Sequence, residues 1–212
     1  LMDVFKLNCM WLLCSLPIVT MGAATTAAYT ITLKMVNDEE GYIAGPFWKE
    51  FKANLKKGSI LGVIALVACY AVYLDFQLYH VAKQHNMMFL IVGVIGIYLI
   101  FMHIVFAFPL LARYENSIVN TMRNSYSIAA KFLGRTAFLA VLLVIEMAII
   151  LWNLTTMFAG LLIGPACIIL TISGFANSFF TVIERENLMA EQEEKESTHL
   201  NGEPISEDED DI

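Results

Sequence analysis

Charge is scarce in this chain. Asp, Glu, Lys and Arg make up 16% of its 212 residues, where an ordinary globular chain carries about 25%. A soluble domain with a charged shell is excluded, because 58% of the residues are hydrophobic and the mean hydropathy is +0.65. Catalytic signatures are missing as well. There is no Gly-x-x-x-x-Gly-Lys loop for a nucleotide, no Gly-x-Gly-x-x-Gly for a dinucleotide and no His-Glu-x-x-His for zinc. Cys9, Cys14, Cys69 and Cys167 lie in apolar runs without Cys-x-x-Cys spacing, so they read as small buried hydrophobes, not as metal ligands or a disulfide framework. The chain is therefore expected not to be an enzyme, with no catalytic residue, metal or cofactor to assign.

What is present instead is apolar length. Five stretches, Val4 to Leu33, Ser59 to Tyr79, Met87 to Leu111, Thr136 to Trp152 and Met157 to Val182, are long enough or nearly so to cross a bilayer, which takes about 20 mostly apolar residues. The expected fold is an all-α membrane protein, a bundle of about five transmembrane helices whose first partner is the lipid bilayer. Two prolines interrupt it. Pro17, just before the small run Gly22-Ala23-Ala24-Thr25-Thr26, leaves open whether the first stretch spans once or breaks into a hairpin. Pro109 is expected to kink the third helix or end it just before Arg113. Gly58-x-x-x-Gly62 and Gly160-x-x-x-Gly164 permit close helix approach, expected within the chain before between copies. The run begins at Leu1 rather than Met, so the true N-terminus is expected upstream.

The net charge of −7 hides two different objects. From Glu184 onward there are twelve acidic residues against Arg185 and Lys195, a local balance of −10 that leaves +3 for the rest. Residues 1–183 are accordingly read as the transmembrane domain and 184–212 as an acidic, disordered cytoplasmic tail. Lys and Arg favour cytoplasmic connections. They gather in two, one holding Lys34, Lys49, Lys52, Lys56 and Lys57, the other Arg113, Arg123, Lys131 and Arg135, whereas the connection after Tyr79 holds only Lys83. Both basic connections and the tail then lie inside, and five crossings put the N-terminus outside. Each basic connection has helical amphipathicity: Phe47, Phe51 and Leu55 recur opposite Lys49, Lys52 and Lys56, and Ile118, Met122, Tyr126, Ala129 and Leu133 recur apart from Asn116, Asn120, Asn124, Arg123 and Lys131. Two interfacial helices on the cytoplasmic side follow. Their basic residues are explained by topology, so no nucleic acid partner is expected.

Three runs carry a resemblance. Leu16-Pro17-Ile18-Val19-Thr20-Met21-Gly22-Ala23-Ala24-Thr25-Thr26, then Phe51-Lys52-Ala53-Asn54-Leu55-Lys56, then Phe108-Pro109-Leu110-Leu111-Ala112-Arg113-Tyr114-Glu115-Asn116-Ser117 closely resemble the YesL-like family of bacterial membrane proteins of unknown function. The resemblance reaches to about Glu186 and implies a roughly five-helix protein of the bacterial plasma membrane. It also implies a genomic setting beside carbohydrate ABC importers and glycan-degrading enzymes, with importer subunits as candidate partners. The family supplies no catalytic residues to carry over.

Polar residues at membrane depth are the remaining candidates, since an ionisable group there is expensive. Glu146 and His103 are expected at depths within roughly 5 Å of each other by helical rise, so a His–Glu pair between the third and fourth helices is one reading, either a relay or a structural pair. Asp75, with Gln77, Tyr79 and His80, reads as an interfacial cap. Thr20, Gly22, Thr25 and Thr26 either line a polar cavity for a hydroxylated solute or satisfy their own helix carbonyls. The leading functional expectation is an accessory or scaffold protein for carbohydrate uptake. The alternative is a small permease or flux regulator using His103 and Glu146.

Overall fold

The structure, a computed structural model, describes residues 2–39, 41–81, 87–114 and 116–200. Lys83, Glu115 and the acidic end 201–212, each named above, lie outside the described residues. Among the described residues every regular element is helical. Four helices are long and apolar enough to cross a membrane: Leu55–Val81, Met87–Arg113, Leu133–Ile150 and Leu154–Glu193. The protein is an all-α membrane protein.

The first apolar stretch takes the broken form that Pro17 left open. It makes α1 (Met2–Ser15) and α2 (Met21–Val36), joined by a 3-10 turn at Ile18–Thr20. At 1.5 Å per residue they are about 21 and 24 Å long, short of the roughly 30 Å hydrocarbon core. They fold back as a hairpin: the Thr20 hydroxyl donates to the Cys14 carbonyl at 2.7 Å, and Trp11 Nε1 donates to Thr25 Oγ1 at 3.1 Å. At the open end Asp3 and Lys34 line one cavity. The turn is exposed and apolar at Leu16, Ile18 and Val19, a tip fit for lipid.

Within the hairpin α2 is much the better buried helix. Ten of the sixteen α2 residues are buried, and small side chains are the reason. A Cβ at Gly22 would run into the Gly58 carbonyl oxygen and lie 2.9 Å from Gly62 Cα, while one at Gly58 would lie 2.7 Å from Ala23 Cα. The Gly58-x-x-x-Gly62 spacing thus seats α2 on α4 (Leu55–Val81), an approach within one chain.

Two short helices occupy the basic connections, and in the second only Ala129 of the expected apolar stripe is buried, since Ile118, Met122 and Tyr126 are half-buried and Leu133 begins the next helix. In α3 (Ala44–Ala53) Phe47 is fully buried and stacks on Phe51, with Lys49, Lys52 and Lys56 beyond it exposed. In α7 (Ile118–Lys131), capped by Ser117 Oγ accepting from Asn120 N, the buried face is Thr121, Ser125, Ile128 and Ala129. Lys57 Nζ donates to the Asn116 carbonyl at 3.1 Å, so the two basic connections meet at one end of the molecule.

The second crossing is α5 (Met87–Met102), a π turn at His103–Ala107 and α6 (Phe108–Arg113). Pro109 has no N–H for a helical bond, and the widened turn just before it absorbs the misfit. The helix runs through the proline and stops at Arg113, where Tyr114 turns extended. The last pair is α8 (Leu133–Ile150) and α9 (Leu154–Leu200). Asn153 caps α9 reciprocally: Thr156 N donates to Asn153 Oδ1 at 2.9 Å, and Asn153 N donates to Thr156 Oγ1 at 3.0 Å. The sequon-like Asn153-Leu154-Thr155 is therefore a helix start.

Residues 1–176 form one compact unit and 177–212 another. The second, in its described part, is the continuation of α9. The expected boundary at residue 184 falls inside that helix, which runs to Leu200. The first half of the acidic segment is helical, a correction to the disordered reading; Glu and Ala are good helix formers and the preceding helix removes the nucleation penalty.

Candidate functional site

Two cavities at the level of the apolar helices gather the polar residues that the sequence singled out. The larger, about 480 Å³, lies along α4 and α5 and is floored by Ala65, Ala68, Ala71 and Gly96. Glycine makes the helices close: a Cβ at Gly96 would lie 2.6 Å from Val72 Cγ2, and one at Gly93 would lie 3.0 Å from Asp75 Oδ2. Asp75 lines one part of this cavity, and His103 with Tyr126 of α7 lines another. Gly93, which Asp75 faces, is ten residues from His103, about 15 Å along a helix.

His103 is 3% exposed. Its Nε2 sits 3.3 Å from the Leu61 carbonyl oxygen, which can only accept, so Nε2 carries the proton. Nδ1 is buried and has no hydrogen-bond partner among the described residues. The ring packs edge-on against Phe108 at 5.9 Å. Asp75 Oδ2 is likewise buried and has no hydrogen-bond partner among the described residues. The interfacial-cap reading of Asp75 fits only its neighbours, since Gln77 Nε2 bonds Tyr73 Oη at 2.8 Å on the exposed side while Asp75 turns toward α5. The signal was available in Gly93 and Gly96, the small residues that make room opposite.

Glu146 belongs to a different place. A cavity of about 250 Å³ between α8 and α9 is lined by Glu146, Ile150, Gly160, Gly164 and Cys167. There Glu146 Oε1 accepts from the Thr171 hydroxyl at 2.5 Å, and Oε2 is buried without a hydrogen-bond partner among the described residues. No hydrogen bond joins Glu146 to His103, and they line separate cavities. The expected pairing is not made, because similar depth does not fix the direction in which a side chain leaves its helix. His103 turns to α4, Glu146 to α9.

The threonine cluster takes the second of its two readings. Thr25 donates to the Met21 carbonyl at 2.8 Å, Thr26 to Gly22 at 2.9 Å and Thr20 to Cys14 and Pro17. Gly22 is the contact with α4. Of the basic residues, Lys49, Lys52, Lys56, Arg123 and Lys131 are exposed, and Arg113 is half-buried with its guanidinium 5.9 Å from the Tyr114 ring centre.

One polar constellation escaped the sequence reading. Pro165 interrupts α9, freeing carbonyls in the preceding turn. Asn8, fully buried on α1, repairs the gap: Nδ2 donates to Leu161 O at 3.0 Å and Leu162 O at 2.8 Å, and Oδ1 accepts from Ala166 N at 3.1 Å. Farther along, Thr32 and Ser173 hydroxyls bond each other at 2.5 Å. The hairpin is thereby bolted to α9 by polar groups. A lone Asn in an apolar run and a Pro inside a span were both visible; their pairing across 157 residues was not.

Comparison with curated proteins and with solved structures finds no match. Residues 4–76, which span the hairpin, α3 and most of α4, match the family described as "Protein of unknown function, DUF624".

Proposed function

We propose that the protein is a non-catalytic accessory subunit of the bacterial plasma membrane, YesL-like in kind, that associates with an oligosaccharide ABC-type importer. The observation that carries this reading is the bareness of the crossings. Within the protein only 11% of the α8 window and 17% of the α4 window is covered, although α8 is closely fitted to α9 at Gly160 and Gly164, and α4 to α2 and α5 at Gly58, Gly62 and Gly96. Broad uncovered faces beside a basic end bearing Lys49, Lys52, Lys56 and Arg123 suit a chain that leans on larger membrane subunits. A flux role resting on a His103–Glu146 pair loses its support, because the two line separate cavities.

Purification of the tagged full chain from native membranes in mild detergent tests the proposal. Importer subunits in stoichiometric amount support it. Recovery of the chain alone, or solute flux by the chain alone in liposomes, sinks it.

The proposed orientation places the two basic connections and both termini in the cytoplasm. Four crossings with a hairpin whose ends share one side give an even count, whereas an external N-terminus depended on five. In a background lacking the four native cysteines, cysteine at positions 2, 52 and 123 should label only from the cytoplasm and at 153 only from outside. External labelling at position 2 would restore the five-crossing arrangement.

A further inference from the structure

The open end of the hairpin holds a two-part cavity that neither the packing of the bundle nor the accessory role explains. Its polar part, about 640 Å³, is lined by Asp3, Lys34, Asp38 and Glu39 around the loop that follows α2. An apolar part, about 470 Å³, continues along α1 past Phe5, Cys9 and Met10. Asp3, Gly41, Tyr42 and Ile43 line both, so the two parts are contiguous. Asp3 is held by Lys6 at 3.4 Å. Lys34, Asp38 and Glu39 have no ion-pair partner among the described residues.

The charges restrict what fits. An anion alone would meet Lys34 but also carboxylates; a cation alone would meet the carboxylates but also Lys34. A compact zwitterion satisfies both signs at once. The adjoining trough adds a second requirement, since it offers Phe5 and Met10 to an apolar chain. On the proposed orientation the mouth of the hairpin also lies on the cytoplasmic side, at the level of lipid headgroups. We infer that this cavity binds a phosphoethanolamine lipid, with the phosphate at Lys34, the ammonium between Asp38 and Glu39, and an acyl chain along Phe5 and Met10. An ammonium donates three hydrogen bonds, which a trimethylated headgroup cannot.

The test uses the purified full chain in detergent and four probes: dioctanoyl phosphatidylethanolamine, the phosphatidylcholine and phosphatidylglycerol of the same chain length, and free phosphoethanolamine. Binding is read by native mass spectrometry and by melting temperature. The ethanolamine lipid should bind at least tenfold more tightly than the other three. Lys34→Gln and Asp38→Asn should each weaken it about tenfold while leaving the melting temperature of the lipid-free protein unchanged, since both side chains are exposed. Asn is chosen because Asp38 has φ of 55°, a backbone that Asn tolerates. Phe5→Ala should weaken lipid binding alone. Equal binding of the choline or glycerol lipid overturns the headgroup assignment, equal binding of free phosphoethanolamine overturns the lipid in favour of a soluble zwitterion, and unchanged binding by both charge variants overturns the site.

Discussion

Helices α2 and α8 are nearly equal in length, sixteen and eighteen residues, and opposite in what surrounds them. Most of α2 is buried by its neighbours, and its polar atoms, Thr26 and Thr32 among them, are bonded. In α8 only Thr136 and Leu139 are buried, and Val141, Val144, Ile145 and Ile149 face outward. Apolarity alone does not decide which helix is interior: α8 is apolar almost throughout, while α2 is rich in Ala and Thr. In a bilayer lipid solvates Leu and Ile as well as protein does, so interiors form where small residues let backbones approach and where polar groups find each other.

The sharpest way to break that contrast is to fill the point where α2 meets α4. Gly22→Val places methyl groups where Gly58 O and the Gly62 backbone already stand, and backbone cannot swing aside. A loss of about 3 kcal/mol or more is expected, at the upper end of overpacking effects, read as reduced unfolding free energy in detergent. A loss below about 1 kcal/mol would mean that α2 does not pack so closely.

Next in size is Asn8→Ala, which strips three hydrogen bonds from the interrupted turn of α9. Buried groups left unsatisfied cost about 1–3 kcal/mol, and partial relaxation of the turn should hold the total to about 2–3 kcal/mol. The mechanism makes a stronger demand than the magnitude. Pro165→Ala restores an N–H to the helix, so Asn8→Ala should be milder in that background. Additive losses would show that Asn8 acts by packing and not by repairing the break.

These two sites also mark how far the sequence could be read. The crossings after the hairpin were legible because about twenty apolar residues leave little choice, and the Gly58-x-x-x-Gly62 spacing announced a close contact. Its partner, Gly22, was legible only as part of a small-residue run, since spacing within one helix says nothing about which helix comes near. Pro109 announced a disturbance but not its form; a π turn depends on what His103 and Phe106 pack against. His103 and Glu146 failed as a pair for a related reason, that helical rise gives depth and neighbours give direction. Asn8 and Pro165 lie on segments whose adjacency is tertiary, and nothing local encodes it.

A smaller effect is expected where the hairpin meets α9 a second time. Ser173→Ala and Thr32→Val each remove one side of the buried hydroxyl pair. Interhelical hydrogen bonds in membrane proteins average about 0.6 kcal/mol, and Thr32 also donates within its own helix, to Ala28 O or Tyr29 O, which gives its hydroxyl a fallback. The cycle should show coupling of about 0.6 kcal/mol. No coupling would leave Asn8 as the sole polar link between hairpin and α9.

The smallest effect on stability belongs to α8, and it decides most about function. Val144 is 69% exposed within the protein, so Val144→Ala removes methyl groups that touch lipid or a partner but little of this chain. Unfolding free energy of the purified protein should change by less than about 0.5 kcal/mol, as for surface substitutions in general. If α8 is a docking face, the same substitution, or Val144→Phe for a larger change of shape, should reduce recovery of the importer subunits while the purified chain stays as stable as before. A substantial loss of stability without any partner would show that α8 is covered by the chain itself and would remove the contrast with α2. Unchanged stability and unchanged recovery would assign this face to lipid, and the search for the partner surface would move to the bare side of α4 at Val67 and Tyr70.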